Sequence, residues 1–327
     1  MIWKTSMQVV RHLERRSLSI AKPILTMGNF DGIHRGHRAL LHRVVQEAKA
    51  KGGSSVILTF EPHPLQVLAP AHVPQMILTH KDKLRILQSC GVDLVIIQRF
   101  DSAFAGIEAG EFVQRYLVDC IKVHKVCVGK DFGFGKGKRG RVEDLIRWGA
   151  AKGFEVGIVE RLELEGIRVS SSYIRKLIKV GEVDRVPRFL GRYHFVSGRV
   201  AKGHQRGRNL GFPTANIAAR TELIPSDGIY ATFLELEGGR CPSVTSIGRN
   251  PTFGDGPRTI ESYIFDFQGD LYGRRVRLFF VQRIREERKF SSPDLLVEEI
   301  KRDIASAQKI LSAVPASELP GLKACLA

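Results

Sequence analysis

The chain has little that would mark it as exported, disulfide-bonded or membrane-spanning. Its 327 residues contain five cysteines, an odd number with no C-x-x-C pair, so neither a disulfide framework nor a zinc site is indicated. The first 22 residues contain no apolar signal-like segment, and no apolar run reaches the about 18 residues that span a bilayer. We therefore expect a cytoplasmic protein without a membrane partner.

The chain also lacks internal repeats and a long basic tract, although it is strongly basic overall. Fifty-one Lys and Arg against 34 Asp and Glu give a formal net charge of +17, which favours anionic partners such as nucleotides or RNA. The densest basic cluster, 136–141, is short and rich in glycine. An RNA-binding module remains an alternative, but no basic tract with interleaved aromatics supports it, and we expect no nucleic-acid partner.

The length suggests two domains, and the first half alternates short β-rich runs with helical stretches. The predicted strands are 23–27, 56–60, 92–97, 123–128 and 156–159. The predicted helices are 37–51, 79–90 and 142–152. Strands separated by helices favour an α/β domain with a doubly wound parallel sheet, whose ligand would lie at the carboxyl ends of the strands. We place this domain at residues 1–186.

The second half changes character after about residue 187. Short β-rich runs are separated by Gly, Pro, Asn and Asp, with no convincing helix between them. These runs are 193–200, 229–236, 260–267 and 275–281. The pattern favours a small antiparallel β-barrel or sandwich, and an apolar stripe over 293–311 predicts a terminal helix that packs on it. We place this domain at residues 187–327.

The first chemical motif, Met27 to His37, follows the first predicted strand and leads into the first predicted helix. Two imidazoles and the free N–H groups of a helix start suit the binding of a polyphosphate. The imidazoles can donate hydrogen bonds as charge develops on a leaving pyrophosphate, and Gly36 leaves room for a nucleotide near the backbone. The candidate residues are Gly28, Asn29, Phe30, Asp31, His34, Gly36 and His37.

The second motif, Gly203 to Ile217, combines a basic loop containing Gly203 and Arg208 with a predicted Pro-Thr-Ala-Asn turn. It is not a Walker A sequence. Backbone N–H groups and basic side chains of the loop could hold a nucleoside triphosphate. The Thr214 hydroxyl and the Asn216 carbonyl are hard oxygen ligands suited to Mg²⁺.

Several strings occur in the order of a known family. The stretch from Gly28 to His37 resembles the HxGH signature of the flavin-adenylating branch of the nucleotidylyltransferase superfamily, as do 60–64, 128–135 and 169–175. The second motif resembles the PTAN motif of riboflavin kinases, and the similarity continues through 247–253, 260–267 and 269–273. Together they resemble the bifunctional bacterial riboflavin kinase and FMN adenylyltransferase family.

The resemblance implies an enzyme that phosphorylates riboflavin to FMN and then adenylates FMN to FAD, with ATP as a substrate and Mg²⁺ as a cofactor. It implies catalytic roles for His34, His37 and Arg175 in adenylation, and for Glu261 as the acceptor of the hydroxyl proton in the kinase step. It also implies nucleotide contacts from Asp131, Ser171 and Ser172. From their sequence alone, Ser170 to Ser172 could cap a helix running toward Val180.

An adenylyltransferase acting on nicotinamide mononucleotide or a pantetheine phosphate is a further alternative. Such an enzyme would share the HxGH motif but would leave the second half unexplained. The oligomeric state is not predicted by the sequence.

Overall fold

The computed structural model describes residues 7–13, 18–202, 211–236, 239–249 and 258–315. Two compact units form within this part of the chain. The first contains the described residues of Met1–Gln75 and His80–Val169, and the second contains those of Met76–Thr79 and Ser170–Ala327. By their contacts, residues 170–186 belong to the second unit. The assignment of one activity to residues 1–186 and another to residues 187–327 stays a prediction.

The first unit is built from short strands and helices that alternate along the chain. Its elements are β1 Gln8–Arg11, β2 Pro23–Met27, α1 Arg35–Ala50, β3 Ser54–Glu61, α2 Pro64–Leu68, α3 His80–Ser89, β4 Leu94–Arg99, α4 Ser102–Ala105, α5 Ala109–Phe112, β5 Lys125–Gly129, α6 Val142–Lys152, β6 Glu155–Val159, β7 Glu163–Leu164 and β8 Ile167–Arg168. A π-helical stretch, Val113–Ile121, continues from α5.

Six strands form one parallel sheet in the order β1-β4-β3-β2-β5-β6. The predicted doubly wound parallel sheet is confirmed. Strand β1 was not predicted, because it is a four-residue edge strand whose side chains are mostly exposed and show no apolar alternation. The short β7 and β8 form a separate antiparallel pair.

Both faces of the parallel sheet are buried, which explains the continuous apolar runs of its central strands. Helix α1 covers one face, where Ile24 of β2 and Cys127 of β5 pack against Val44 and Ala48. The opposite face carries a larger cluster that includes Leu25, Met27, Val56, Leu58, Val126 and, from the π-helical stretch, Val113 and Leu117.

The second unit is mostly antiparallel. Its elements are α7 Ser171–Val180, α8 Val186–Leu190, β9 His194–Ala201, β10 Thr214–Ala219, β11 Gly228–Leu236, β12 Gly239–Gly248, β13 Thr259–Ile264, β14 Arg275–Arg285 and α9 Pro293–Ser312. Six strands close a barrel in the order β10-β13-β12-β11-β14-β9, and β9 pairs with β10 to complete it. The predicted barrel and its terminal helix are confirmed. The predicted Pro-Thr-Ala-Asn turn is wrong from Thr214 onward, because Thr214 begins β10 and pairs with β13.

The apolar interior of the barrel contains a connected group of hydroxyls. Thr232 Oγ1 lies 2.8 Å from Ser243 Oγ and 2.7 Å from Thr245 Oγ1, which donates to Ser262 Oγ at 3.0 Å. All four side chains are fully buried. Since each hydroxyl has a partner, the cost of removing it from water is largely offset.

No helix within the described ranges is long and apolar enough to cross a membrane.

His194 is a buried histidine in strand β9. Its side chain is 1% exposed, and its Nε2 lies 3.2 Å from the carbonyl oxygen of Leu223. Burial, with a smaller contribution from the nearby Arg192 charge, lowers the pKa of His194 to about 3. The folded barrel therefore holds this imidazole in its neutral form.

This histidine should make the barrel sensitive to acid. An unfolded histidine titrates near pH 6.5, so between that pH and about 3 the unfolded chain binds one more proton than the folded chain. The free energy of unfolding should therefore fall by about 2 kcal/mol from pH 7 to pH 5 through this residue alone. In His194→Gln, which keeps an N–H donor but cannot titrate, that part of the loss should disappear.

Hydrogen exchange of the β9 and β14 amides at the two pH values, corrected for intrinsic rates, measures the effect. His42→Gln, at an exposed position of the first unit, is the control and should behave like the unmodified chain. An equal loss of protection in the His194→Gln protein and the unmodified protein would contradict the assignment.

Candidate active sites

The strand order of the first unit determines where a ligand can approach. From β2 the chain moves to β3 on one side, whereas β5 and β6 extend the sheet on the other side. The carboxyl ends of the adjacent β2 and β5 therefore flank a switch point, where open α/β sheets bind their ligands. The first motif follows β2, and the Gly-rich loop beginning at Lys130 follows β5.

His34 caps helix α1 with its own side chain. Its Nδ1 accepts a hydrogen bond from the backbone N–H of His37 at 3.2 Å. The two imidazole rings stack with centroids 3.6 Å apart and planes 13° from parallel, and Phe30 packs edge-on against His37 at 5.2 Å. Both predicted catalytic histidines therefore lie at the N-terminal end of a 16-residue helix, which attracts anions.

The loop that leads to His34 has an unusual backbone. Phe30, Gly32 and Ile33 have φ values of 50°, 79° and 44°, so three of four consecutive residues are left-handed. This conformation is unfavourable for a phenylalanine and more so for a β-branched isoleucine. Phe30 and Ile33 are almost completely buried, and that burial helps to hold the loop in this form.

Gly36 is needed for the stacked histidines. A Cβ placed on Gly36 would lie 3.3 Å from Nδ1 and Cε1 of the His34 ring, closer than an ordinary van der Waals contact. We predicted that this glycine leaves room for a nucleotide. In the structure its missing side chain leaves room for the His34 ring.

His37 is held in its neutral form. Burial, with a smaller contribution from His34, keeps the pKa of His37 well below its usual value. Its Nδ1 is buried and has no hydrogen-bond partner among the described residues. A neutral imidazole would meet a phosphate as a hydrogen-bond partner, and an arriving anion would raise its affinity for a proton.

Polar contacts connect the first motif to the end of β3 and to helix α3. Leu65 N–H donates to Nδ1 of His63 at 3.2 Å, and Nδ2 of the Asn29 side chain lies 3.1 Å from Nε2 of the same ring. The carbonyl oxygen of Asn29 accepts from Thr59 Oγ1 at 3.4 Å and from Lys83 Nζ at 3.3 Å. Sequence reasoning missed Thr59 and Lys83, because neither lies in a motif or has a distinctive spacing.

Asp131, a predicted nucleotide ligand, is exposed and forms ion pairs with Arg161 and, at 3.3 Å, with Arg168. A hydrogen bond from Arg161 lowers the pKa of this carboxyl group. The glycines that follow have a packing role, since a Cβ on Gly135 or Gly140 would collide with Ala109 at 2.6 or 2.7 Å. The loop after β5 is therefore fixed by protein contacts.

The predicted helix cap at residues 170–172 is formed by Ser170, whose Oγ accepts from the backbone N–H of Tyr173 at 3.3 Å. Ser171, Ser172 and Arg175 lie in the first two turns of α7, in the second unit. Their predicted contacts with a nucleotide remain predictions.

The second site lies on the outer surface of the barrel. In β13, Ile260, Ser262 and Ile264 are buried and alternate with the partly exposed Thr259, Glu261 and Tyr263. Asn216 is paired with Glu261, and Thr214 with Tyr263, so these side chains share the outer face. The predicted catalytic carboxylate thus lies beside both predicted metal ligands.

Two threonine hydroxyls hold the Glu261 carboxylate. Thr214 Oγ1 donates to Oε2 at 3.2 Å, and Thr259 Oγ1 donates to Oε1 at 3.1 Å. The two hydrogen bonds restrict the rotation of the carboxylate. Thr259 was missed by sequence reasoning because it precedes the predicted strand 260–267; in the structure it begins β13 and shares the face of Glu261. Predicted ligands Gly203 and Arg208 lie outside the described residues.

Comparison with known proteins assigns a family model to each half of the chain. The FAD synthetase family model matches residues 18–173, and the riboflavin kinase family model matches residues 190–311. A bifunctional riboflavin kinase/FMN adenylyltransferase of Pseudomonas fluorescens is 36% identical over 93% of this chain and 98% of its own length. The chain belongs to the bifunctional riboflavin kinase/FMN adenylyltransferase family.

Other members of this family are equally similar. The Escherichia coli (strain K12) enzyme is 37% identical over 88% of this chain and 92% of its own. Among solved structures, a Streptococcus pneumoniae protein described as a macrolide-efflux protein matches with a TM-score of 0.84 and 31% identity, covering 93% of this chain and 99% of its own. The similarity therefore extends over both units.

Enzymes of this family need a divalent metal. Within the described ranges, no cluster of three or more His, Cys, Asp or Glu residues could hold one. The shared face of β10 and β13 instead offers the Thr214 hydroxyl, the Asn216 amide oxygen and the Glu261 carboxylate, which are the hard oxygen donors that such a cation prefers.

Replacing Gly36 by Ala should disturb the first site alone. The added Cβ would press on the His34 ring, and a displacement of a few tenths of an ångström should lower the rate of FAD formation from supplied FMN by about 10- to 100-fold. FMN formation from riboflavin should not change. Gly106→Ala, whose added Cβ would make only an ordinary 3.4 Å contact, is the matched control. Full FAD formation by Gly36→Ala would show that the histidine stack is not needed.

Proposed function

We propose that the chain catalyses two consecutive reactions: riboflavin and ATP give FMN and ADP, and FMN and a second ATP give FAD and pyrophosphate. We assign adenylation to residues 1–186 and phosphorylation to residues 187–327. The observation that carries the proposal is that His34 and His37 stack at the start of α1 and that Thr214, Asn216 and Glu261 share one face of the barrel, in a chain related over most of its length to bifunctional members of the family. An adenylyltransferase for another nucleotide would not explain the group of Thr214, Asn216 and Glu261 on the barrel.

In adenylation, a phosphate oxygen of FMN attacks the α-phosphorus of ATP. The bond from that phosphorus to the bridging oxygen breaks, and the electrons leave with pyrophosphate. We propose that His34, His37 and Arg175 counter the charge that develops on the leaving group. The stacked imidazoles at the start of α1 support this role, because donors fixed before the reaction need no rearrangement during it.

We propose nucleotide-binding roles in the same reaction for the rest of the first motif and for residues that follow it. These residues are Gly28, Asn29, Phe30, Asp31, Gly36, Asp131, Ser171 and Ser172.

In phosphorylation, the 5′-hydroxyl oxygen of the ribityl chain attacks the γ-phosphorus of ATP, and ADP leaves. We propose that Glu261 accepts the hydroxyl proton. The two threonine hydroxyls that hold its carboxylate support this assignment, because they restrict its rotation. Gly203 and Arg208 are proposed to contact the triphosphate.

We propose that the divalent cation is Mg²⁺ and that Thr214 and Asn216 hold it in the kinase site. When bound, it would neutralise charge on the ATP phosphates. Thr214 could offer its oxygen to the cation and still donate its proton to Glu261. We further propose that the enzyme acts in the cytoplasm, on small-molecule substrates.

Two substitutions should separate the reactions. Glu261→Gln keeps the shape of the side chain but removes the proton acceptor, so FMN formation should fall by about 10²- to 10⁴-fold while FAD formation from supplied FMN persists. His37→Ala should give the reverse result. Chromatography of the flavins after incubation with ATP and Mg²⁺ measures both steps, first from riboflavin and then from FMN.

Glu298→Gln, at an exposed position of α9, is the control for the carboxylate and should change neither step. If either active-site change abolished both activities in a folded protein, the two-site assignment would be wrong. If the unmodified protein made neither FMN nor FAD, the proposed function itself would be wrong.

A further inference from the structure

Lys83 of helix α3 reaches the backbone of the first motif. Its Nζ lies 3.3 Å from the carbonyl oxygen of Asn29 and 3.3 Å from Oγ1 of Thr59. Thr59 Oγ1 in turn lies 3.4 Å from the same carbonyl oxygen. The ammonium, the hydroxyl and the carbonyl thus form a closed triangle that connects a helix, strand β3 and the motif loop.

The triangle holds the loop where its backbone is least favourable. Asn29 directly precedes Phe30, the first of the three left-handed residues, and Ile33 is the last. Non-glycine residues in this conformation are strained and persist only where surrounding contacts hold them. Thr59 is fully buried and Lys83 is partly buried, so water competes weakly for these contacts.

Lys83 also carries a positive charge that two carboxylates influence. Asp31 and Glu61 both act electrostatically on its ammonium, although burial has the larger effect and lowers the pKa of Lys83. Asp31 is 7% exposed and belongs to the motif itself. Without the lysine, the negative charge of these carboxylates would be less balanced beside the loop that is proposed to receive a polyphosphate.

We propose that Lys83 is a positioning residue for adenylyl transfer. Its ammonium fixes the Asn29 carbonyl against Thr59 and thereby keeps the loop from Gly28 to His34 in the conformation that places the histidines. It acts through the loop and makes no contact of its own with the reacting phosphates. This inference rests on the proposed adenylyltransferase function of the first unit.

Lys83→Met and Thr59→Val test the triangle. Methionine keeps the length of the side chain without its charge, and valine keeps the shape of threonine without its hydroxyl. Because a misplacement of about 1 Å can cost about 10²-fold in rate, Lys83→Met should lower kcat for FAD formation from FMN by about that factor. Because the loop also carries proposed nucleotide-binding residues, the KM for ATP should rise by a smaller factor than kcat falls. Thr59→Val should change kcat in the same direction.

The double variant shows whether the two residues act together. If they serve one triangle, Lys83→Met with Thr59→Val should be no slower than Lys83→Met alone. Independent, multiplying effects would overturn the proposal. Lys81→Met, an exposed lysine two residues earlier on α3, is the control.

Three further measurements keep the result interpretable. FMN formation from riboflavin reports on the second unit of each variant, and hydrogen exchange of the β2 and β3 amides reports on the sheet.

If Lys83→Met disrupts the sheet, the Thr59→Val variant decides the question, and an unchanged kcat in that variant would overturn the proposal. A rise in either KM at constant kcat would overturn it too, since it would make Lys83 a direct ligand. FAD formation by the unmodified protein is measured in parallel, and its absence would refute the proposed function rather than the role of Lys83.

Discussion

The hydrogen bond from the backbone N–H of His37 to Nδ1 of His34 determines how the first site is built. Because the His34 side chain closes the first turn of α1, its ring must lie over the end of the helix. There it stacks on His37, and Gly36 has no side chain to prevent this. A single capping interaction therefore brings together two imidazoles and the partly positive end of a helix.

The second site also brings several functional groups together, but it does so with two strands and without a helix end. Alternation along β10 and β13 places Thr214, Asn216 and Glu261 on one face, and two hydroxyls hold the carboxylate. The first site presents hydrogen-bonding groups suited to an anion, whereas the second presents oxygens suited to a cation and a hydroxyl. This difference matches the chemistry, since adenylation must stabilise a leaving pyrophosphate and phosphorylation must activate a hydroxyl.

The parts of these sites that the sequence predicts are those governed by local rules. His34 and His37 are three residues apart at a helix start, and the pattern around Glu261 indicates a strand whose alternate residues share a face. Strand β1 escaped prediction because it is short, exposed and at an edge. Lys83 and Thr59 escaped because their contacts with Asn29 join residues 54 and 30 positions apart, and only the packing of α3 and β3 beside the loop brings them together.

The net charge of +17 does not by itself locate a phosphate site. Several cations lie in ion pairs within the protein: Arg161 and Arg168 hold Asp131, and Arg285 binds both oxygens of Asp303 at 2.9 and 2.7 Å. In the first site His37 is neutral, and Asp31 and Glu61 act electrostatically on the Lys83 ammonium. A phosphate bound at the start of α1 would meet oriented N–H groups and a helix end, whose effect is local and survives where a diffuse surface charge would be screened.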